Sequence, residues 1–181
     1  YTYTWYKASN MTETGTVVRT QTSATAVQDS YTPATADEGT FYYYVKVSSS
    51  CGNDKTSKRA KITIQSLPAI TTQPATLSKP CKDSTLTLSI AHTGDGNRSV
   101  QWYKNATNSN TGGTAISGET ANTFTVPTGT VGTTYYYAVV SSDTGCTPAV
   151  SNVAEVIVQS LPAITTQPAA LSKLCKGASL T

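Results

Sequence analysis

Two nearly identical segments lie far apart in this chain: SLPAITTQPATLSKPC from Ser66 to Cys81, and SLPAITTQPAALSKLC from Ser160 to Cys175. They begin 94 residues apart. Other landmarks recur at nearly the same interval: Trp5-Tyr6-Lys7 with Trp102-Tyr103-Lys104, Tyr42-Tyr43-Tyr44 with Tyr135-Tyr136-Tyr137, and Cys51 with Cys146. A period long enough to hold a whole domain predicts a tandem array of domains rather than a thin solenoid.

The residues between these landmarks are typical of β-strands. Thr, Ser and Tyr are frequent, and β-branched or aromatic side chains fit a pleated, half-buried surface. Gly, Asn, Asp and Pro recur at short intervals, as the turns of an all-β chain require. Leu86, Leu88 and Ile90 share one face of an alternating segment, and similar short segments follow as far as Val158. About seven such strands in one period predict a two-sheet sandwich, so the predicted fold class is all-β.

The period divides the chain into one complete domain and two partial ones. Residues 66–159 form the complete domain. Residues 1–65 match this template only from just before its tryptophan onward, and residues 160–181 match only its opening strands. Half a sandwich leaves its apolar face and its strand edges uncovered. We therefore expect either that the chain is a piece of a longer array, or that the tail of one molecule completes the head of the next.

Charge and motif content argue against several functional classes. Charged residues make up 13% of the chain, the net charge is +3, and no basic cluster predicts a nucleic-acid partner. No apolar run approaches the roughly 20 residues that span a bilayer, so no direct membrane insertion is predicted. The four cysteines are not in C-x-x-C spacing and there is one histidine, so we expect no metal site, no cofactor and no enzyme activity.

Two segments resemble an immunoglobulin-like domain. VQWYKN looks like strand C, with Trp102, and Trp5 in the other copy, as core tryptophans. ADEGTFYYYVKV resembles strand F, with Tyr43 where the core cysteine would stand. C-K-[DG]-x-[ST]-L-T before strand B and [SG]-C-[GT] after strand F are similar to the immunoglobulin-like repeats of Bacteroidetes cell-surface and secreted proteins. The resemblance implies tandem immunoglobulin-like sandwiches, with strands C to G in 1–65 and strands A and B in 160–181.

The same resemblance implies an exported, extracellular protein, in which cysteines form disulfides by default. The candidates are Cys51, Cys81, Cys146 and Cys175. Two pairings stay open: Cys81 with Cys146 inside one domain, or each of them with a cysteine of a neighbouring domain. In the family fold these two positions lie at opposite poles, which favours bonds across the junctions. Ser84, in Asp83-Ser84-Thr85, matches the O-glycosylation pattern that the resemblance implies.

Alternation along the predicted strands also indicates a tyrosine surface. If Trp5, Trp102, Tyr43 and Tyr136 point into the core, their neighbours point outward: Tyr6, Tyr42, Tyr44, Tyr103, Tyr135 and Tyr137. Exposed tyrosines of this kind stack against sugar rings or contact other proteins. The alternative is cross-strand pairing on a solvated sheet face, without a ligand.

These observations together predict a structural repeat segment of a long exported bacterial stalk, adhesin or filament, with a mechanical or spacer role. Its partners would be neighbouring repeats or copies of itself, head to tail. Two alternatives remain: a module that binds a surface glycan or a protein through the tyrosine surface, and a filament subunit whose residues 160–181 supply strands to residues 1–65 of a neighbour.

Overall fold

A computed structural model describes residues 1–94, 96–143, 145–168 and 176. Within those residues the secondary structure is β-strand and turn, without a helix. The chain divides into two compact units. Unit 1 comprises Tyr1–Thr71, His92–Val100 and Val139–Ala149, and unit 2 comprises Thr72–Ala91, Gln101–Ala138 and Val150–Thr181. The domain boundaries expected after residues 65 and 159 remain a prediction.

Unit 1 contains an antiparallel sheet of five strands: β1 (Thr2–Ala8), β2 (Thr16–Thr22), β3 (Gly39–Ser48), β4 (Lys55–Thr56) and β5 (Ala60–Ile64). The order is β2-β1-β3-β4, and β5 also pairs with β3. Gly15, at a φ of 73°, lies just before β2 in the β1–β2 connection, where a left-handed conformation favours glycine. β4 and β5 pair with the same strand on either side of Ser57, so they act as one strand with an interruption.

The remaining strands are β6 (Ala69–Thr72), β7 (Leu77–Ser78), β8 (Thr87–Ser89), β9 (Ala91–Thr93), β10 (Arg98–Asn105), β11 (Thr114–Ala115), β12 (Thr123–Thr125), β13 (Gly132–Ser142), β14 (Ala149–Val150) and β15 (Ala154–Val158). One sheet has the order β11-β10-β13-β15-β7, with β14 also on β13. β12 pairs with β8, and β6 pairs with β9. β7 lies parallel to β15, whereas β13 and β15 are antiparallel.

The core of unit 2 lies between its two layers of strands. Leu88 of β8 and Phe124 of β12 are directly paired and almost fully buried. The Phe124 ring lies 5.6 Å from that of Trp102 and 5.2 Å from that of Tyr136, so the short sheet packs against the large one. Side chains that alternate along each strand thus meet on the inner faces, as in a β-sandwich.

The corresponding face of unit 1 is less well covered. Trp5 is half-buried, with its ring 5.8 Å from that of Tyr31. Tyr31 lies in the connection between β2 and β3, and no strand equivalent to β8 occurs in residues 1–71. Within residues 1–71 the opening strands that bury Trp102 in unit 2 therefore have no counterpart over Trp5, and a connection takes part of their place.

Candidate functional site

The tyrosines expected to form an open surface are stacked in pairs. Tyr103 of β10 lies on Tyr137 of β13, with ring centroids 5.1 Å apart and planes 7° from parallel. Tyr6 of β1 lies on Tyr44 of β3 in the same way, at 4.9 Å and 6°. Offset-stacked rings at these separations stabilise each other beyond the area that they bury.

Tyr44 and Tyr137 are buried, and the expectation that both point into solvent is wrong. Tyr137 is 3% exposed and Tyr44 is 7% exposed. One ring face of each is covered by its stacked partner, and the hairpin that follows the partner's strand covers more. The backbone N–H of Gly113 donates to the Tyr137 hydroxyl at 3.1 Å, and the Tyr44 hydroxyl donates to the Thr14 carbonyl. Alternation assigned the sheet face correctly but could not show that the hairpin returns over it.

Glycine makes this cover possible. A Cβ built on Gly113 would lie 2.8 Å from the Lys104 carbonyl oxygen and 2.9 Å from a ring carbon of Tyr137. A Cβ on Gly15 would lie 2.6 Å from the Lys7 carbonyl oxygen. Real Cβ atoms do not approach so closely, so both hairpins depend on a residue without a side chain.

In unit 1 a cation completes the cover. The Arg59 guanidinium lies 4.3 Å from the centre of the Tyr44 ring. It also donates to the Glu13 carbonyl at 2.6 Å, which fixes it over the ring. Val153 stands at the equivalent place one period later, and its apolar side chain cannot make this cation–π contact.

Four tyrosines of the candidate surface keep part of their area exposed. Tyr6, Tyr42, Tyr103 and Tyr135 are each half-buried. The Tyr135 hydroxyl lies 3.5 Å from a carboxylate oxygen of Glu155 on the neighbouring strand, which is a weak contact. The accessible aromatic area is therefore smaller than the sequence pattern indicates, and it is divided among separate positions.

The two candidate core tryptophans differ in burial. Trp102 is fully buried, and its Nε1–H donates to the Ala121 carbonyl at 2.9 Å, so the one polar atom of its side chain is satisfied. Trp5 is half-buried, and its Nε1–H donates to a carboxylate oxygen of Asp29 at 2.8 Å. Asp29 is also paired with Arg19 at 2.9 Å.

The candidate O-glycosylation residue Ser84 lies in a tight turn. Its hydroxyl donates to the Cys81 carbonyl at 2.6 Å, and its own carbonyl accepts a hydrogen bond from the Thr128 hydroxyl. Asp83, beside it, adopts a left-handed φ of 61°. Ser84 is half-buried, so a glycan would have to displace the bond to Cys81. Modification of Ser84 remains a prediction.

The cysteines lie in three different settings. Cys51 and Cys81 are exposed free thiols. Cys81 forms an isolated parallel bridge with Gln159, at the end of β15. Cys146 is half-buried and lines a cleft of about 520 Å³ in unit 1. Cys175 lies outside the described residues. The disulfides remain a prediction.

Sequence analysis missed one pair of residues that organise the last strand of both repeats. Ser151 is fully buried; its Oγ accepts a hydrogen bond from the Ala138 N–H at 2.9 Å and donates to the Asn152 carbonyl at 2.8 Å. Ser57, 94 residues earlier, accepts from the Val45 N–H at 3.1 Å and donates to the Lys58 carbonyl at 2.8 Å. Each serine fills the interruption in its strand and replaces a backbone partner. The 94-residue period places the two serines at equivalent positions, but it does not indicate that either is buried or hydrogen-bonded.

Tyr136 and Lys46 are among the described groups whose pKa is shifted. Burial raises the pKa of Tyr136 above its usual value near 10. The hydrogen bond and charge of Asp54, 2.8 Å away, raise the pKa of Lys46. Among the described residues no group of three or more His, Cys, Asp and Glu side chains is placed to hold a metal. No helix in that part of the chain is long and apolar enough to cross a membrane.

Comparison with solved structures identifies the fold. The chain is similar to three tandem domains of titin, I67–I69 in an E-to-A mutated variant, with a TM-score of 0.55 at 17% identity over 92% of this chain and 58% of that one. Drosophila OTK extracellular domains 3–5 match with a TM-score of 0.49 at 14% identity, over 67% of this chain and 40% of that one. Fibronectin(III)-like modules of Clostridium thermocellum CbhA match with a TM-score of 0.38 at 12% identity, over 92% of this chain and 83% of that one.

The similarity to titin, together with the sandwich of unit 2, shows an all-β fold of tandem immunoglobulin-like domains. The chain spans less than half of the OTK chain and just over half of the titin chain that it matches. No curated protein matches it. A family model matches residues 69–160, which is just over half of the chain and nearly the whole repeat period. The chain therefore belongs to the family described as Domain of unknown function (DUF8696).

Proposed function

We propose that this chain is a structural repeat segment of a long exported bacterial surface protein, a stalk, adhesin or filament in which the repeats act as spacers. The observation that carries the proposal is that the same stabilising side-chain contacts occur in both repeats. The stack of Tyr6 on Tyr44 recurs as Tyr103 on Tyr137, and the Ser57 contacts recur at Ser151. A module that reproduces its own stabilising contacts in every copy can be multiplied to gain length, as in other tandem arrays.

In this role the repeats catalyse no reaction, and their contribution is to stay folded. The apolar core, the hydrogen-bonded hairpin cover and the buried serine of unit 2 all resist local unfolding. The Bacteroidetes-like motifs around the cysteines support an extracellular, cell-surface location. Neighbouring repeats are the partners that this function requires.

An immunoblot of the source cells tests this function. Antibodies against residues 66–159 should detect a polypeptide much larger than the 19.0 kDa of this chain in the presence of reductant. Protease added to intact cells should remove that band, while a cytoplasmic marker remains. A band of about 19 kDa that survives the protease would overturn both the array and the surface location.

A second candidate function is recognition of a glycan or protein through the half-buried Tyr6, Tyr103 and Tyr135. Aromatic faces of this kind suit the apolar face of a pyranose ring. A glycan array probed with the full chain and with Tyr103→Ala and Tyr135→Ala variants distinguishes the two functions. Binding that both substitutions abolish would favour recognition, whereas no binding by any form favours the spacer.

A third candidate is a filament subunit completed by strand exchange, in which residues 160–181 cover the half-buried face around Trp5 in a neighbour. Most of that segment lies outside the described residues. Sedimentation of the full chain at increasing concentration tests the exchange: assembly that is lost when residues 160–181 are deleted supports it, and a monomer at all concentrations excludes it.

A further inference from the structure

Cys81, the cysteine before β8, lies beside the end of the last strand of its own repeat. Cys81 forms a parallel bridge with Gln159. Two backbone hydrogen bonds hold this arrangement: Lys82 N donates to the Gln159 carbonyl at 2.8 Å, and Gln159 N donates to the Pro80 carbonyl at 2.9 Å. Because Cys81 is exposed, its thiol is available at the end of the repeat.

A second, independent observation comes from the cleft in unit 1. That cleft is lined by Thr35, the segment 62–65, Leu67 and Cys146. Gln65 occupies the position of Gln159 one period of 94 residues earlier. Cys146 therefore shares a cleft with Gln65. The counterpart of Gln65 in the next repeat is Gln159, which forms the backbone β-bridge with Cys81.

If the arrangement of Cys81 and Gln159 is repeated one period earlier, the counterpart of Cys81 lies beside Gln65 and therefore near Cys146. In the repeat that precedes Cys146, the counterpart of Cys81 would be bridged to Gln65, as Cys81 is bridged to Gln159. We infer that a disulfide joins these two positions across every junction: the counterpart of Cys81 in one repeat to the counterpart of Cys146 in the next. Bridged cysteines require Cα atoms within about 7 Å, which a shared cleft can provide.

The alternative bond inside one repeat is opposed by the length of β13. Gly132, at the start of β13, pairs with Val158, beside the Gln159 that holds Cys81. Cys146 follows the other end of the same strand, after Ser142. An 11-residue strand at roughly 3.3 Å per residue extends about 35 Å, far more than a disulfide can bridge.

The bond needs an oxidant, which we take to be a small-molecule disulfide of the glutathione class. One cysteine thiolate attacks that disulfide and releases one equivalent of its thiol, forming a mixed disulfide. The second cysteine thiolate then displaces the remaining thiol and forms the S–S bond between the repeats. Two protein thiols are oxidised, and one oxidant disulfide is reduced to two thiols.

The inference rests on the tandem array proposed above, but its test does not depend on location or length. A copy of residues 66–97 is added before Tyr1 of the full chain, because residue 98 is the template position that Tyr1 matches. The addition supplies the missing opening strands and a copied Cys81. After equilibration with reduced and oxidised glutathione, mass spectrometry of the non-reduced digest should recover the copied cysteine joined to Cys146, with Cys51 and Cys81 still alkylated as thiols.

Two variants of the extended chain are the controls: Cys146→Ser, and Cys81→Ser in the added copy alone. Either should abolish the cross-linked peptide and restore one additional thiol. Recovery of a Cys81–Cys146 peptide from the extended chain would overturn the inference, and so would two free thiols at the proposed positions in the folded protein.

A second protein keeps the inference testable if the added strands do not fold. In it a copy of residues 66–159 replaces residues 160–181, so that two complete repeats follow each other at the natural period. The bond should then join Cys81 of the first copy to Cys146 of the second. Reduced thiols at both positions in a protein that unfolds cooperatively would refute the junction bond, while the immunoblot above would still decide the proposed function separately.

Discussion

Tyr103 and Tyr137 lie face to face, 5.1 Å apart and 7° from parallel, and the hydroxyl of Tyr137 accepts the N–H of Gly113. The stack and the hydrogen bond together close the outer face of the sheet beneath a hairpin. Because Tyr6 and Tyr44 are arranged in the same way, this closure belongs to the repeat and not to one copy of it.

Tyr137→Phe should destabilise unit 2 by about 1 kcal/mol, since it leaves the Gly113 N–H without its acceptor under a buried ring. Tyr135→Phe is the matched control, because its hydroxyl makes only the 3.5 Å contact with Glu155, and it should change stability by less than about 0.5 kcal/mol. Urea unfolding of the chain carrying Trp5→Phe, so that the fluorescence comes from Trp102 alone, measures both. Equal effects would show that the hairpin bond contributes nothing.

Ser151→Ala should cost about 2 kcal/mol, because Ser151 is fully buried and its loss leaves the Ala138 N–H unsatisfied in the core. Ser57→Ala removes the same bond from the first repeat, but Ser57 is exposed and water can take its place. We expect that change to cost less than about 0.5 kcal/mol. Urea unfolding gives the loss in free energy of unfolding for each variant. Similar losses for Ser151→Ala and Ser57→Ala would show that burial of the serine does not determine the cost.

The two tryptophans should differ in their access to a soluble quencher. A Trp5→Phe variant reports only Trp102, which is fully buried, and acrylamide should quench it weakly. A Trp102→Phe variant reports only the half-buried Trp5, and the Stern–Volmer constant should be several-fold larger. The ratio is meaningful when circular dichroism shows that both variants stay folded. Equal constants would contradict the difference in burial between Trp5 and Trp102.

Sequence patterns could predict the strands and the side chains that face the core, because both follow from alternation along the chain and from the repeat. Alternation placed Trp102 and Tyr136 on the inner face, and both are buried there. The period could not show how a hairpin folds over a sheet, because the cover on Tyr137 depends on a close approach at Gly113 that leaves no trace in hydrophobic patterning. Ser151 was equally hidden, since one serine in a chain rich in Thr and Ser carries no signal of burial.

The ionisation of Tyr136 should make the chain lose stability in alkali. Burial raises the pKa of Tyr136 in the folded state, so the folded protein holds this proton more tightly than the unfolded chain does. The contribution is complete below the ordinary tyrosine pKa of about 10 and is lost as the pH rises through the folded-state value. A Tyr136→Phe variant should therefore show a shallower decline in the free energy of unfolding between about pH 9 and 11 than the unchanged chain. Referring each protein to its own value at pH 7 removes the effect of the lost hydroxyl on packing. Parallel declines would mean that Tyr136 ionises as readily in the folded protein as in the unfolded one.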